Sequence, residues 1–116
     1  MKTKFTTIEF PVFCHYAVHV EVTTDIIKSM EKYPATKSFT KEPIDAEALS
    51  IHVLNEPVSF IFLSYNASVG VIAHESWHVV RKIMQHTGIA IDSETVAYHL
   101  GYLVDAIFQF IRGKRK

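Results

Sequence analysis

Two histidines four residues apart, with a glutamate beside the first, are the residues of this sequence best suited to chemistry. They belong to the segment His74-Glu75-Ser76-Trp77-His78, an HExxH motif. Residues four apart on a helix share one face, so both imidazoles can reach a single metal ion. Neutral imidazole is a good ligand for Zn²⁺. The motif therefore predicts a zinc site.

A catalytic zinc site has three protein ligands and one open position, so the motif needs a third ligand. Glu94 is our first choice, because it lies in the first turn of the next predicted helix and a short connection lets that helix fold back antiparallel. Asp92 and His99 are the alternatives that remain open. The predicted ligand set is therefore His74, His78 and Glu94, around one zinc ion.

Hydrolysis is the chemistry expected of such a site, and a peptide bond is its most suitable target. Zinc lowers the pKa of a bound water to about 7 and polarises a carbonyl oxygen. We expect Glu75 to act as the general base that takes the proton of this water and passes it to the leaving amine. The Tyr98 hydroxyl or the His99 imidazole is a candidate accessory donor, although helix packing alone explains both residues.

Two long helices are predicted around the motif. The first runs from residue 67 or 68 to 86, and Gly88 is a typical stop signal after it. The second begins at residue 92 or 93, either of which can cap it, and runs to 111. Its apolar residues follow helical spacing at Ala97, Leu100, Leu103, Val104, Ile107, Phe108 and Ile111. Gly101 is expected to let the two helices approach closely.

The first half of the chain predicts a sheet, because it is rich in β-branched and aromatic residues. The predicted strands are 4–13, 16–23, 48–54 and 58–64. A short helix is expected at 24–33 and a loop at 35–44. The last strand leads directly into the motif helix, so its edge is expected to pair with an extended peptide. The fold class is α+β, a small antiparallel sheet of about four strands with one short and two long C-terminal helices.

The size of the chain predicts one domain, spanning residues 1–116. Within it, 1–66 is expected to be mainly sheet and 67–111 to be a metal-binding helix pair. The last residues, 112–116, are expected to form a solvated basic tail. A domain of this size is expected to be a minimal enzyme or a small binding module.

The composition argues against several classes of function. Twelve basic and twelve acidic residues give a net charge of zero, so no nucleic-acid partner is expected. The most apolar stretches, 58–73 and 97–111, are interrupted by polar residues, so no membrane partner is expected either. Cys14 is the only cysteine, which excludes an intramolecular disulfide and suits a reducing cytoplasm. The composition leaves the oligomeric state open.

The last third of the chain resembles a known family. Its matching features are HESWH at 74–78, the Gly-Ile turn at 88–89, the ExxAY step at 94–98 and the run LGYL at 100–103. These are similar to small metallopeptidases encoded in bacteriophage genomes, which are glutamate-type zincins reduced to one domain. Larger glutamate zincins carry an acid four residues after the ligand glutamate, whereas this chain has Tyr98 there.

The resemblance implies a minimal zincin-like fold. It also implies one zinc ion held by His74, His78 and Glu94, with Glu75 as general base. A peptide or protein would be the substrate, and the host cytoplasm would be the place of action. The tyrosine at position 98 leaves the group that orients the metal ligands unassigned.

Two other interpretations compete with a zinc peptidase. One is a non-catalytic metal-binding structural or interaction protein with the same fold, because a domain this small offers little wall for a substrate cleft. The other is a metal-free α+β module in which the motif is a coincidence, and it predicts that chelation leaves thermal stability unchanged. The histidines outside the motif helices, His15, His19 and His52, are expected to be solvated or hydrogen-bonded rather than metal-bound.

Overall fold

The computed structural model describes residues 2–10, 15–37, 47–53, 55–88 and 92–113. The elements in these ranges are β1 (Thr3–Phe10), β2 (Tyr16–Thr23), α1 (Ile26–Glu31), α2 (Pro34–Lys37), β3 (Ala48–His52), β4 (Val58–Ser64), α3 (Val69–Thr87) and α4 (Ser93–Arg112). The predicted α+β class, with a four-stranded sheet and two long C-terminal helices, is confirmed. None of the helices in the described ranges is long and apolar enough to cross a membrane.

The sheet is mixed, whereas the sequence predicted an antiparallel one. Its strand order is β1-β2-β4-β3. β1 and β3 pair antiparallel with β2 and β4 respectively, but the central pair, β2 and β4, is parallel. The chain between β2 and β4 contains α1, α2 and β3, and this long crossover returns it to the end from which β2 started, as a parallel pair requires.

Two boundaries differ from the sequence prediction. The described part of β1 ends at Phe10, and residues 11–14, which were assigned to the end of this strand and the following turn, lie outside the described residues. The predicted loop at 35–44 begins with the short helix α2, which starts at Pro34. Proline suits the first position of a helix because its φ is already helical and its missing N–H has no partner there. The rest of that predicted loop, from residue 38, also lies outside the described residues.

Side chains alternate between the two faces of the sheet, and helices pack on both faces, so the protein has three layers. In β2, Val18, Val20 and Val22 pack against α3 and α4 in the main apolar cluster. Phe62 of β4 points to the opposite face, where it packs with Met30 of α1 in a second cluster. Because β4 is apolar on both faces, its sequence predicts a strand inside the sheet or covered by a helix, and it lies inside the sheet between β2 and β3.

Short-range signals set the ends of the two long helices. The Ser68 hydroxyl accepts a hydrogen bond from the Val71 N–H at the start of α3, and Gly88 ends this helix with a left-handed φ of 76°. Asp92 caps α4 by accepting from the Thr95 N–H at 2.9 Å. These side chains satisfy backbone groups that have no partner inside the helix.

Gly101 does not bring the helices together. It is exposed, and a Cβ placed on it would meet no atom within 4 Å. The prediction of a close-packing role is therefore wrong. The interior face of α4 is formed by Leu103 and Ile107 instead.

A buried carboxylate ties α1 to the other face of the sheet. The Glu21 side chain of β2 has no exposed area, and its Oε2 lies 2.7 Å from Nζ of Lys32. The Tyr33 hydroxyl donates to the other carboxylate oxygen, Oε1, at 2.6 Å, and the Thr3 hydroxyl donates to Oε2 at 2.9 Å. The sequence alternation places Glu21 on this face, but only the packing of α1 makes the face an interior.

Candidate metal centre

The two motif histidines, His74 and His78, lie side by side on the exposed face of α3. Their Nε2 atoms are 3.2 Å apart, and their rings are nearly perpendicular with centroids 4.7 Å apart. The helix is unbroken over Val69–Thr87, so the four-residue spacing places both imidazoles on one side of one turn. The intervening residue Ser76 and the following Val79 face the core instead.

The separation of the two nitrogens fits a shared zinc ion. Zinc–nitrogen bonds of about 2.0–2.1 Å with a tetrahedral angle place two imidazole nitrogens about 3.3 Å apart. The observed distance is 3.2 Å. The same distance suits a hydrogen bond between an Nε2–H and a bare Nε2, and the donor ring would present a bare Nε2 to the ion once its hydrogen is on Nδ1 instead.

Glu75 lies on the flank of α3 that faces β3. Together with His78 it borders a shallow depression of about 350 Å³, whose opposite wall consists of Leu49, Ser50 and His52. The motif helix and the edge of the sheet therefore meet at one open site. The predicted general base and one predicted ligand line the same space.

His52 is fixed in the wall of this depression by hydrogen bonds that lead to two buried hydroxyls. Its Nδ1 is 2.9 Å from the Ser59 hydroxyl, which is 2.7 Å from the Tyr16 hydroxyl. Burial raises the pKa of Tyr16, against the hydrogen bond to Ser59, which lowers it. Burial lowers the pKa of His52, and electrostatic interactions with Lys82 and His78 lower it further. These effects favour the neutral form of the His52 imidazole.

The sequence prediction of a hydrogen-bonded role suits His52, but it missed the position of this residue beside the motif. No spacing along the chain relates residue 52 to residues 74–78. One signal was present: Ala48, Ser50 and His52 alternate along β3 and so share one face. Only the pairing of β3 with β4 turns that face toward α3.

The free edge of the sheet also borders the depression. β3 is one of the two outermost strands, with β1 at the other edge, in the part of the chain that the structure describes. The Val53 N–H donates to the Val58 carbonyl, so the odd-numbered residues of β3 direct their backbone groups toward β4. Ser50 and His52 therefore direct theirs outward. The prediction that the edge of β4 pairs with a peptide is wrong, because β2 and β3 occupy both of its edges.

The structure does not bring Glu94 to the histidine pair. In the described ranges, no three His, Cys, Asp or Glu side chains are arranged to hold one ion. After His78, α3 continues to Gly88, which is about 15 Å along a helix axis. Glu94 then lies exposed in the first turn of α4. Its assignment as third ligand stays a prediction.

The two alternative ligands are engaged in α4 itself. Asp92 accepts hydrogen bonds from the N–H and the hydroxyl of Thr95, and the first of these is the main reason why its pKa is lowered. The Nδ1 of His99 is 2.9 Å from the Thr95 carbonyl, and its ring lies against Phe10. Tyr98, the proposed accessory donor, is 73% exposed.

Similarity to known proteins adds no further support for a function. No family model, curated protein or solved structure matches the chain. The resemblance to phage-encoded zincins therefore stays a prediction based on the motif residues. What supports a function is the geometry of the site itself: a paired set of imidazoles, a flanking carboxylate and a free strand edge.

Proposed function

We propose that the chain is a zinc-dependent peptidase whose site lies between α3 and the free edge of β3. The observation that carries the proposal is the 3.2 Å separation of Nε2 in His74 and His78. Bound zinc would supply an acidified water and polarise the substrate carbonyl. The two imidazoles would hold the ion, and Glu94 is the proposed third ligand.

Glu75 is the proposed general base. It follows a ligand directly in the chain, and its half-buried side chain lines the depression rather than the outer face of α3. A carboxylate in this position can take a proton from the attacking water and deliver it to the nitrogen of the leaving amine. Because Glu75 need not bind the ion itself, substituting it should separate metal binding from hydrolysis.

An extended peptide is the proposed substrate. The outward N–H and C=O groups of Ser50 and His52 offer a short template for pairing with another strand. A chain paired there would run along the mouth of the depression, next to Glu75 and His78. Backbone pairing recognises any extended segment, so the side chains along the depression would set the sequence preference.

A non-catalytic zinc-binding protein is the second candidate, and the position of Glu94 favours it. Two imidazoles from one helical turn leave further positions on the ion to be filled. Ligands from a partner protein would fill them as well as Glu94 would. Both candidate functions require bound zinc, and only the peptidase requires cleavage of a substrate.

Metal content tests the part that both candidates share. We expect the purified chain to bind about one zinc ion, measured by elemental analysis and chelator competition. His74→Ala should abolish binding, whereas His86→Ala, an exposed histidine on the same helix, should leave it unchanged. Glu94→Ala should weaken binding if Glu94 is a ligand. Equal zinc affinity of the His74 and His86 variants would overturn the assignment.

Cleavage of a quenched fluorescent peptide library tests the hydrolase. Glu75→Gln should keep the zinc and lose cleavage by about 100-fold or more, because general-base catalysis contributes factors of this size. Glu31→Gln, the same change on the exposed surface of α1, is the control. A zinc-loaded wild-type chain that cleaves no library peptide would favour the non-catalytic candidate. Full activity of the Glu75 variant would contradict the mechanism.

A further inference from the structure

We infer that His52 presents a hydrogen-bond donor, its Nε2–H, to the carbonyl oxygen of a peptide bound in the depression between β3 and α3. The identity of the ligand, a peptide, rests on the proposed function. The direction of the donor itself follows from the hydrogen bonds of Tyr16, Ser59 and His52.

The two buried hydroxyls leave one way to place their hydrogens. Tyr16 is 1% exposed and Ser59 is 0% exposed, so neither hydroxyl can turn to water. In the described part of the chain, the Tyr16 hydroxyl forms a hydrogen bond only with the Ser59 hydroxyl, and the Ser59 hydroxyl forms hydrogen bonds only with Tyr16 and His52. A buried hydrogen without an acceptor is strongly disfavoured. Tyr16 therefore donates to Ser59, and Ser59 donates to Nδ1 of His52.

This arrangement decides the tautomer of His52. An Nδ1 that accepts a hydrogen bond carries no hydrogen, and neutral imidazole has one N–H. That hydrogen is therefore on Nε2. Among the described residues, Nε2 of His52 has no hydrogen-bond partner. The ring lines the depression while its other nitrogen is held inward by Ser59, so the N–H is available to a ligand.

Such a donor suits the reaction proposed for the site. As water oxygen bonds to the carbonyl carbon, negative charge develops on the carbonyl oxygen. The proton lost by the water passes to Glu75 and then to the amine nitrogen as the C–N bond breaks. A fixed neutral N–H directed at the oxygen stabilises that charge without transferring its own proton. The hydrogen bonds to Ser59 and Tyr16 hold the ring in place beforehand.

The rival role for His52 is that of a zinc ligand, which requires the opposite state of the ring. A ligand nitrogen must be free of hydrogen, so Nε2 would be bare and Nδ1 would donate to Ser59. The structure would then leave a hydroxyl hydrogen of Ser59 or Tyr16 buried without an acceptor. The two roles therefore differ in which ring nitrogen of His52 carries the hydrogen in the metal-free protein.

Nitrogen-15 NMR of the metal-free wild-type protein measures this property directly. Two-bond ring correlations distinguish a protonated nitrogen from a bare one, and the His52 signals are assigned by their absence in His52→Asn. We expect Nε2 of His52 to be protonated and Nδ1 to be bare at pH 7. A protonated Nδ1 would overturn the inference, and this result requires neither zinc nor activity.

A matched pair of variants then tests the role in catalysis. The amide of His52→Asn reaches the position of Nδ1 and can keep the bond to Ser59, whereas that of His52→Gln reaches the position of Nε2 and restores a donor there. We expect the asparagine variant to lose about 100-fold to 1,000-fold in kcat and the glutamine variant to recover at least tenfold of it. Zinc affinity should change by less than about threefold in both. Loss of zinc in either variant would overturn the inference in favour of a ligand role.

Failure of the proposed function is distinguishable from failure of this inference. A wild-type chain that binds zinc but cleaves no peptide would overturn the peptidase, while the ring state of His52 would still show whether it presents a donor. A cleaving wild-type chain whose His52→Asn variant keeps full kcat would overturn the role of His52 alone. Urea unfolding of each variant confirms that the compared proteins are folded.

Discussion

Replacing Glu21 by glutamine should remove a large, pH-dependent part of the stability of this fold. Burial alone would raise the pKa of Glu21, but hydrogen bonds from Lys32, Tyr33, Thr3 and Ser29 outweigh it and lower the pKa from 4.5 to about 2. Glutamine keeps the shape of the side chain and loses its charge. The perturbation therefore isolates the electrostatic part of the contact between α1 and the sheet.

The magnitude follows from the two pKa values. Each tenfold change in acidity is worth about 1.4 kcal/mol, so the drop from 4.5 to about 2 corresponds to roughly 3 kcal/mol in favour of the folded state. Because the folded-state pKa is the lower one, this stability is present above the unfolded-state value and is lost as the pH falls. The loss is roughly 0.4 kcal/mol at pH 4.5, roughly 1.4 kcal/mol at pH 3.5 and roughly 3 kcal/mol at pH 2.

Urea unfolding across this pH range is the assay. At pH 7 we expect Glu21→Gln to unfold with roughly 3 kcal/mol less free energy than the wild type. At about pH 2 the two proteins should have nearly equal stability, because the wild-type carboxyl has become neutral as well. Glu31→Gln, an exposed glutamate of α1, should stay within about 0.5 kcal/mol of the wild type.

A constant difference between wild type and Glu21→Gln from pH 7 to pH 2 would refute the reasoning, because it would show that the loss does not come from the ionised carboxylate. A difference below about 0.5 kcal/mol at pH 7 would do the same. It would mean that the cost of burying the carboxylate cancels the gain from its hydrogen bonds with Lys32 and Tyr33.

Three further predictions concern stability and metal binding. Ser59 and Ser76 are both fully buried, but the Ser76 hydroxyl has no hydrogen-bond partner among the described residues. In urea unfolding, Ser76→Ala should therefore raise the free energy of unfolding by about 1 kcal/mol, whereas Ser59→Ala should lower it by about 1–3 kcal/mol. Equal effects of the two changes would contradict this. Gly88→Ala should lower the free energy of unfolding by about 1 kcal/mol, because Gly88 has a left-handed φ of 76°. Gly101→Ala, in the exposed middle of α4, should raise it by about 0.5–1 kcal/mol. Two changes of the same sign would count against this reasoning. Zinc at about 100 times its Kd should stabilise the wild type by about 2.7 kcal/mol and leave His74→Ala unchanged in a thermal melt, and stabilisation of that variant would place the ion elsewhere.

The helical part of the site was predictable because it depends on short-range geometry. A spacing of four residues places His74 beside His78 in any helix. Ser68 lies at the expected start of α3, Asp92 was one of the two expected caps of α4, and Gly88 was the expected stop. In each case the interacting groups lie within one turn of one another, so the pattern of residue types is sufficient.

The sheet was predictable only in part. The four strands and the alternation of Val18, Val20 and Val22 against Glu21 follow from the residues themselves. The order of the strands does not, and it decided that β3 and not β4 has the free edge. The same alternation places Glu21 away from α3, yet only α1, packed on that face, makes the carboxylate buried.

The sequence by itself determined the motif, the pairing of its two imidazoles and the flank on which Glu75 lies, because a helix relates these residues without help from the rest of the chain. The tertiary structure decided which residues face them. It placed His52 across the depression, whereas Glu94 lies in the first turn of α4, after α3 has continued about 15 Å past His78. Distances between elements depend on strand order and helix length together, and no local pattern in the chain contains that information.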